Sequence, residues 1–523
     1  MKEKHKYGQY FTEEVIARYM VSLISHGRDS RVLEPSCGTG VFLRMLDEAG
    51  YNCCKGYEID SELSKVYSKC VEYKSFLSVP TDEKYDVVIG NPPYIRWKNL
   101  EDELKTELAG NALWQKYFNS LCDYLFIFIL KSIEHLTEGG ELILICSDYW
   151  MNTTHSSTLR NYMVSNGYFE RIYHFKEAPL FDGVNASFII FKYIKTSNTK
   201  PDTTNLYTYK EKGRPVLAML FDGSCFNHEV IPAFKHGVRW LLAKAEIQEE
   251  LKWFESVCVK QTNLFETELN RIGDICDIGN GMVSGLDAAF KIKDSQSALN
   301  EKERNHSIKV LKAKNLSQYK FNSVSNYAFV PTGVCEDVFV SDYPHFKEQM
   351  TPYIDGLKRR YSYGKDLPYW EFAFPRSKSL FERRGAKIFV PCKERISHKD
   401  YFRFCYAPDG FFPLQDVTAI VKKENCRESV EYILAFLNSK YVYDWLKYNG
   451  IVKGEIVEFS ETPIASIPFY KIDWGKGEEV RRHDEITSAV KSYIETSDES
   501  YRMIIDNEID SLLHGYNRLQ ATA

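Results

Sequence analysis

The sequence lacks several features that would point to particular classes of protein. No long apolar run is present, and the longest, around residues 124–130, is much too short to cross a bilayer. Residues 1–6 are charged and no apolar core follows them, so we expect no signal peptide. Internal repeats and low-complexity tracts are missing too. These absences predict a soluble cytoplasmic protein without a membrane anchor.

Cysteine spacing and net charge narrow the possibilities further. The thirteen cysteines are scattered and never follow a Cys-x-x-Cys pattern, so we expect reduced thiols and no bound metal. The formal net charge is −5, which gives no overall attraction for nucleic acid. Any surface that binds nucleic acid must therefore be a local basic patch.

The N-terminal part alternates short apolar runs with helical patterns. This alternation predicts an α/β fold with a mainly parallel, doubly wound sheet that binds ligands at the carboxyl ends of its strands. A helix is predicted over 13–25, with Thr12 as its N-cap. The candidate strands are 31–34, 53–58, 85–90, 141–147, 169–175 and 186–193.

The chain of 523 residues is long enough for two or three domains. From about residue 271 the pattern changes to short strands, turns and many aromatic residues, which predicts a separate mixed α/β domain. Helices are expected over 240–265, 428–448 and 478–519. The predicted divisions are 1–230, a helical linker at 231–267, 268–475, and a helical tail at 476–523.

The most informative segment is Asn91-Pro92-Pro93-Tyr94, which follows a candidate strand. Adjacent prolines fix two φ angles and hold the local carbonyl groups in set directions. Rigid acceptors beside an aromatic ring suit a planar group with an exocyclic amine, such as adenine. An ordinary turn at the end of a strand is the alternative interpretation of the same residues.

A glycine-containing loop and an acidic residue precede this segment. Gly38 and Gly40 allow the backbone to approach a ligand closely because neither carries a Cβ. Glu58 ends the second candidate strand, where a carboxylate can accept hydrogen bonds from a ribose diol. The loop lacks the full spacing of a dinucleotide-binding fingerprint.

The order of these motifs resembles the γ-class (TaqI-like) adenine-N6 DNA methyltransferases, in which the catalytic region precedes the target-recognition region. The segments that carry the resemblance are Gly8–Thr12, the loop 34–40, Glu58 and Asn91–Tyr94. Further similar segments are 123–126, 138–142, 179–183, 279–287 and 437–440. The resemblance implies a Rossmann-like S-adenosylmethionine-dependent methyltransferase domain at 1–230 and a DNA target-recognition domain at 268–475.

The resemblance also implies roles for individual residues in the first domain. The Asn91 side-chain oxygen and the Pro92 carbonyl, stiffened by Pro93, would accept hydrogen bonds from the amine of a flipped-out adenine, which would stack against Tyr94 and Phe181. Where members of this family have an aspartate that contacts the adenine amine of the cofactor, this chain has Ser75, whose hydroxyl could accept the same hydrogen bond. The S-adenosylmethionine-binding residues would be Tyr10, Phe11, Thr12, Glu34, Pro35, Ser36, Cys37, Gly38, Gly40, Glu58, Ile59, Ser75 and Phe76.

A basic segment supplies the expected contact with duplex DNA. Between residues 358 and 403 there are thirteen lysines and arginines but only five acidic residues, which suits phosphate contacts. The predicted DNA-binding residues are Ser284, Arg376, Lys378, Arg383, Arg384, Lys393 and Arg395. A cognate restriction endonuclease is a possible partner, and we expect a monomer.

Three other functions fit parts of the sequence. Asn-Pro-Pro-Tyr also serves enzymes that methylate RNA or protein glutamine. A combined restriction-modification enzyme is disfavoured because no convincing nuclease motif is found. An adaptor that only binds is disfavoured because the residues from Asn91 to Tyr94 and Gly38 are intact.

Overall fold

The computed structural model describes residues 10–65, 70–184, 186–261, 267–292, 298–361, 364, 366–396, 399–453 and 455–520. Gly8 and Gln9 of the N-terminal motif and Lys365 of the basic segment lie outside these residues. The chain divides into two compact units, Met1–Gln248 and Glu249–Ala523. In the described residues, no helix combines the length and the apolar character that a membrane span needs.

Nine described strands of the first unit form one sheet. The order across the sheet is β3-β2-β1-β4-β5-β7-β6-β8-β9, with β7 antiparallel to both of its neighbours. The first five strands pair in parallel. The strands are β1 (Arg31–Glu34), β2 (Cys53–Glu58), β3 (Val71–Tyr73), β4 (Tyr85–Gly90), β5 (Leu136–Ser147), β6 (Gly167–Lys176), β7 (Phe188–Lys195), β8 (Thr203–Tyr209) and β9 (Phe226–Pro232).

Helices cover both faces of this sheet, as expected for a doubly wound fold. Successive residues of a strand point to opposite faces, so Val32 and Leu33 belong to two different hydrophobic cores. The helices are α1 (Glu14–Ser22), α2 (Val41–Glu48), α3 (Asp102–Gly110), α4 (Ala112–Tyr117), α5 (Tyr124–Glu134), α6 (Ser157–Asn166) and α7 (Leu217–Asp222). A further helix, α8 (Ala245–Val257), begins in the first unit and continues into the second.

Two predictions about the ends of these helices are wrong. The N-cap of α1 is Glu13 rather than Thr12. The Thr12 hydroxyl instead accepts a hydrogen bond from the Asn91 side chain, so it is engaged by a different loop. The helix expected over 240–265 spans only Ala245–Val257, because the backbone from Val259 pairs in an antiparallel strand.

Short strands in several small sheets characterise the second unit. Its described sheets have the orders β10-β11, β12-β19-β15-β17, β14-β13-β18 and β16-β21-β20. The strands are β10 (Val259–Gln261), β11 (Thr267–Leu269), β12 (Cys276–Asn280), β13 (Ser307–Leu311), β14 (Ser325–Ala328), β15 (Lys387–Pro391), β16 (Lys393–Arg395), β17 (Cys405–Ala407), β18 (Phe411–Pro413), β19 (Val417–Lys422), β20 (Ile451–Lys453) and β21 (Ile456–Glu458).

Twelve described helices complete the second unit, most of them short. They are α9 (Ile272–Ile275), α10 (Asp287–Phe290), α11 (Glu301–Asn305), α12 (Glu336–Asp342), α13 (Pro344–Met350), α14 (Ile354–Arg359), α15 (Lys378–Phe381), α16 (Val430–Leu437), α17 (Lys440–Asn449), α18 (Glu461–Ala465), α19 (Gly477–Thr496) and α20 (Glu499–Gln520).

Two of the long helices predicted here are each divided into a pair. Between α16 and α17, the Ser439 hydroxyl accepts from the backbone of Val442 and so starts a new helix. Between α19 and α20, Ser497 adopts a left-handed conformation with φ of 61°, which ends α19. The buried face of α19 includes Ile486 and Val490, as predicted.

Candidate active site

The loops after β1, β2 and β4 meet at the carboxyl edge of the sheet and surround one cavity. Ligand sites in doubly wound folds occur at this edge. The cavity is lined by Tyr10, Phe11, Pro35, Ser36, Gly38, Glu58, Ile59, Ser75, Phe76, Asn91, Pro92, Pro93, Ile95, Leu104, Tyr124 and Phe128. Nine predicted cofactor residues and three predicted catalytic residues are therefore brought together.

The Asn91 side chain has a defined orientation. Its amide nitrogen donates hydrogen bonds to the Tyr10 carbonyl oxygen at 2.8 Å and to Thr12 Oγ1 at 3.1 Å. A carbonyl oxygen can only accept, so the amide nitrogen must face Tyr10 and Oδ1 must face away. The side-chain oxygen is thus held as an acceptor by the segment that precedes α1.

The Tyr94 hydroxyl lies against two acceptors, Asn91 Oδ1 and the carbonyl oxygen of Ile145, the latter at 2.8 Å. Its single proton can satisfy only one of them fully at a time. Burial raises the pKa of Tyr94 well above its ordinary value, so the hydroxyl stays protonated. Tyr94 therefore fixes Asn91 from the side opposite Tyr10.

The rings predicted to stack against a base form an aromatic group beside the cavity rather than lining it. Tyr94 contacts Tyr10 and Phe188, with ring centroids 5.8 and 6.1 Å apart. Phe181 is buried and contacts Phe188 at 4.8 Å and Tyr10 at 6.3 Å. Of these three rings, Tyr10 lines the cavity, and Tyr94 and Phe181 contact Tyr10 without lining it.

A side-chain hydrogen bond joins the glycine-containing loop to the Asn91 corner. The Ser36 hydroxyl donates to the backbone oxygen of Asn91 at 3.0 Å. Pro92 and Pro93 follow directly and leave the chain little freedom to move. The two loops are therefore held at a fixed spacing across the cavity.

Backbone donors also hold Glu58 in place. Glu58 Oε2 accepts from the Gly38 amide at 2.7 Å, and Oε1 accepts from the Asp60 amide at 2.9 Å. Each carboxylate oxygen has a further lone-pair site. Burial raises the pKa of Glu58, and these two amides oppose that rise.

Four residues predicted to bind the cofactor do not line the cavity: Thr12, Glu34, Cys37 and Gly40. Glu34 is buried behind the loop, and its Oε2 has no partner among the described residues. Burial also raises the pKa of the Cys37 thiol, which lies close to Gly56. Gly40, with φ of +79°, is the N-cap of α2. Glu34, Cys37 and Gly40 are part of the glycine-containing loop itself, whereas Thr12 holds the Asn91 side chain.

Ser75 and Phe76 lie where the sequence predicts them, at the cavity. The Ser75 hydroxyl accepts from the Leu77 amide at 3.2 Å and caps a short turn. Phe76 is buried and packs near Phe128, with centroids 5.4 Å apart.

Sequence reasoning missed four lining residues: Ile95, Leu104, Tyr124 and Phe128. Tyr124 and Phe128 lie four residues apart on α5, so they share one face of that helix. The available signals were this helical spacing and, for Tyr124, its place in the segment 123–126 that carries part of the resemblance. Leu104 lies on α3, far from any recognised motif, and offered none.

The predicted DNA-binding residues have very different surroundings in the second unit. Ser284 is 1% exposed and its hydroxyl donates to Asp287, so it does not reach the surface in this conformation. Arg376 is half-buried and donates to the Gly281 carbonyl at 2.8 Å. The DNA contact expected from Ser284 is therefore at odds with its burial.

Several charges of the basic segment are neutralised by neighbouring residues. Lys378 pairs with Glu382 and Arg383 pairs with Asp277. Arg384 and Lys393 are exposed and make no ion pair with any described residue, while Arg395 is exposed on the same short strand as Lys393. Among the seven predicted DNA-binding residues, Arg384 and Lys393 are therefore the side chains most available to a phosphate.

The cavity has the chemical features that S-adenosylmethionine requires. Apolar walls formed by Ile59, Phe76 and Phe128 suit an adenine ring, and the spare acceptor sites of Glu58 suit a ribose diol. At the other end, Tyr10, Phe11 and Ser36 would hold the methionine part near Asn91. The residues present fit the cofactor.

Comparison with known proteins gives the family. Residues 43–181 match the Eco57I restriction-modification methylase family. The type II methyltransferase M.HindII of Haemophilus influenzae is 44% identical over 516 residues, which cover 98% of both chains. The chain belongs to the type II methyltransferases. M.HincII of Haemophilus influenzae, also a type II methyltransferase, is 42% identical over 515 residues and covers 98% of each chain.

A solved structure of the type IIL restriction-modification enzyme MmeI in complex with DNA has a similar fold. Its TM-score is 0.57 at 10% sequence identity, and the match covers 96% of this chain and 72% of that one. The predictions of an α/β methyltransferase fold, of a sequence-specific DNA methyltransferase and of S-adenosylmethionine as cofactor are confirmed. DNA is accordingly the substrate of this type II methyltransferase.

Proposed function

We propose that this type II methyltransferase is a γ-class, TaqI-like enzyme that methylates the N6 amine of an adenine flipped out of duplex DNA. The observation that carries the proposal is the fixed orientation of Asn91, whose Oδ1 is held as an acceptor beside Pro92. An adenine amine offers two hydrogens, and two rigid acceptors match them.

The chemistry of the amine explains why two acceptors matter. Its lone pair is delocalised into the ring, so the nitrogen is a poor nucleophile. Asn91 Oδ1 and the Pro92 carbonyl would draw the two hydrogens out of the ring plane and direct the lone pair toward the methyl donor. The bound cofactor supplies a methyl group already activated by its sulfonium charge. The protein contributes position and preorganised dipoles.

The hydroxyl of Tyr94 has a part in this arrangement. When an amine hydrogen reaches Asn91 Oδ1, the hydroxyl proton can turn fully to the Ile145 carbonyl, 2.8 Å away. No buried acceptor is left without a donor by that exchange, which keeps its free-energy cost low. Tyr10, Tyr94 and Phe181 would supply the aromatic surface for the extruded base.

The remaining features of the proposal concern organisation. Residues 1–230 would form the catalytic domain, 231–267 a linker, 268–475 the target-recognition domain and 476–523 a helical tail. Arg376, Lys378, Arg383, Arg384, Lys393 and Arg395 would contact the DNA backbone. We place the enzyme in the cytoplasm as a monomer that works alongside a cognate restriction endonuclease.

Nucleoside analysis tests the proposal directly. DNA from a host that expresses the chain is digested to nucleosides and analysed by mass spectrometry, with DNA from an Asn91→Ala strain as the control. We expect N6-methyladenine that disappears in the control. N4-methylcytosine in its place would contradict the adenine specificity. Methylation-sensitive sequencing of the same DNA gives the flanking bases.

A further inference from the structure

Leu121 is an exposed apolar residue beside the active site. Its side chain is 65% exposed, although single exposed apolar residues are common on protein surfaces. Its location distinguishes it, because only two residues separate it from Tyr124, which lines the cavity. Three peptide steps span at most about 11 Å, so the Cα of Leu121 lies within that distance of the Cα of Tyr124.

The backbone that carries Leu121 is braced before and after it. Asn119 Oδ1 accepts from the Leu121 amide, and the Asn119 carbonyl accepts from the Cys122 amide, both at 2.9 Å. Cys122 is buried, and its thiol lies 3.4 Å from the His155 carbonyl oxygen. Leu121 is thus exposed on a turn that these hydrogen bonds close and that the buried Cys122 anchors.

The same turn is tied to the Asn91 corner. The Tyr124 amide donates to the Ile95 carbonyl at 3.1 Å, and Ile95 immediately follows Tyr94. Asp123, which lies between Leu121 and Tyr124 in the chain, accepts a hydrogen bond from Tyr149. The position of Leu121 is therefore coupled to the residues that would receive the base.

A free cation lies beside this turn. Arg96 is exposed and makes no ion pair with any residue that the structure describes. Its charge is near enough to Tyr149 to favour the ionised phenol, although burial raises the pKa of Tyr149 overall. An exposed apolar side chain and an exposed guanidinium, on two segments that the hydrogen bond from Tyr124 to Ile95 joins, match DNA, which offers stacked bases flanked by phosphates.

We propose that Leu121 is the wedge that enters the DNA stack and fills the space left by the extruded base, while Arg96 holds an adjacent phosphate. This inference rests on the proposed flipping of adenine. Proteins that unstack base steps insert residues such as leucine at the cost of a few kcal/mol per step, which the added contacts offset. An exposed leucine on a rigid turn loses little conformational entropy on insertion.

The test uses a duplex that contains the methylation site found by sequencing, with 2-aminopurine in place of the target adenine. Fluorescence of 2-aminopurine rises when the base leaves the stack. For Leu121→Ala we expect a roughly 10-fold smaller flipped fraction and a similar loss of methylation rate on the unmodified duplex. Leu121→Phe should behave as the wild type. The matched control is Met503→Ala, since Met503 is also 65% exposed.

A mismatch opposite the target distinguishes a wedge from a structural role. A mismatched base needs little help to leave the stack, so Leu121→Ala should regain wild-type methylation on that duplex to within about 2-fold. Persistence of the defect there, or wild-type flipping of the paired duplex by Leu121→Ala, overturns the wedge. If the wild-type protein leaves 2-aminopurine stacked, adenine flipping itself fails, and the wedge fails with it.

Discussion

The Asn91 corner and the basic segment 358–403 hold their polar groups in opposite ways. At the corner, backbone groups of Tyr10 and Gly38 fix Asn91 and Glu58. In the basic segment, charged side chains such as Lys378 and Arg383 pair with other exposed side chains. Backbone partners cannot be exchanged, whereas an exposed ion pair is worth little and can be replaced by a phosphate. One region is therefore suited to chemistry and the other to adjustable affinity.

Removing Asn91 is the strongest test of this contrast. We expect Asn91→Ala to lower kcat by about 100- to 1000-fold, the range seen when one preorganised polar group is lost from an active site. Binding of DNA should change little, because the basic segment is untouched. Single-turnover methylation and a DNA-binding titration measure the two effects. Asn99→Ala, at an exposed asparagine nearby, is the control. Equal losses in both measurements would remove the distinction between the regions.

Removing the Tyr94 hydroxyl should lower the methylation rate less than removing the Asn91 side chain does. Tyr94→Phe keeps the ring but leaves Asn91 and the Ile145 carbonyl without a shared donor. A neutral hydrogen bond contributes about 1 kcal/mol, so we expect a roughly 5-fold lower single-turnover rate. Tyr162→Phe removes a hydroxyl that bonds Glu134 instead and should leave the rate unchanged. An unaltered rate for Tyr94→Phe would show that Tyr10 and Thr12 are sufficient to orient Asn91.

Within the basic segment, removing an unpaired cation should change the salt dependence of DNA binding more than removing a paired one. Arg384→Ala or Lys393→Ala should each reduce the salt dependence of DNA binding by about one unit of slope, while kcat at saturating DNA stays unchanged. Lys378→Ala should have less effect because Lys378 already pairs with Glu382. Binding titrations over a series of salt concentrations provide the slopes. A larger effect for Lys378 would reverse the predicted ranking.

The smallest expected effect concerns the pH dependence of stability. Burial raises the pKa of Glu34, so its contribution to stability is complete below the ordinary value of 4.5 and is lost as the pH rises through the folded-state value. Glu34→Gln is neutral throughout and should show a flatter dependence of the unfolding free energy on pH above 4.5 without cofactor. Urea titrations at several pH values measure this. The exposed Glu14→Gln is the control, and a parallel pH profile for Glu34→Gln would contradict the expectation.

The sequence predicts the edge of the sheet well, for a physical reason. The strands β1 and β4 coincide with predicted ranges because their buried apolar residues are followed directly by a loop. The range of β2 coincides as well, although Lys55 and Gly56 interrupt its apolar residues. The short strand β3 has no fully buried residue, so its sequence carries little apolar signal. The position of Asn91, Pro92 and Pro93 at the cavity follows from the rule that loops gather at carboxyl strand ends.

Contacts between distant residues were beyond sequence reasoning. Arg383 pairs with Asp277, which is 106 residues away, and no local pattern indicates that the charge is neutralised. The burial of Ser284 has the same origin, since it depends on how its turn packs. A local surplus of charge in the sequence therefore overstates the surface available to DNA. The fold is needed to identify Arg384 and Lys393 as exposed cations without an ion pair to any described residue.

The hydrogen bond from Ser36 to the Asn91 backbone has a consequence for the order of events in turnover. In the proposed arrangement it joins the compartment of the methyl donor to that of the acceptor base, so rearrangement of either loop strains the other. Linkage requires any such coupling to be reciprocal. Occupation of one compartment should thus tighten the other by the same factor, and departure of the spent donor should loosen the hold on the modified base.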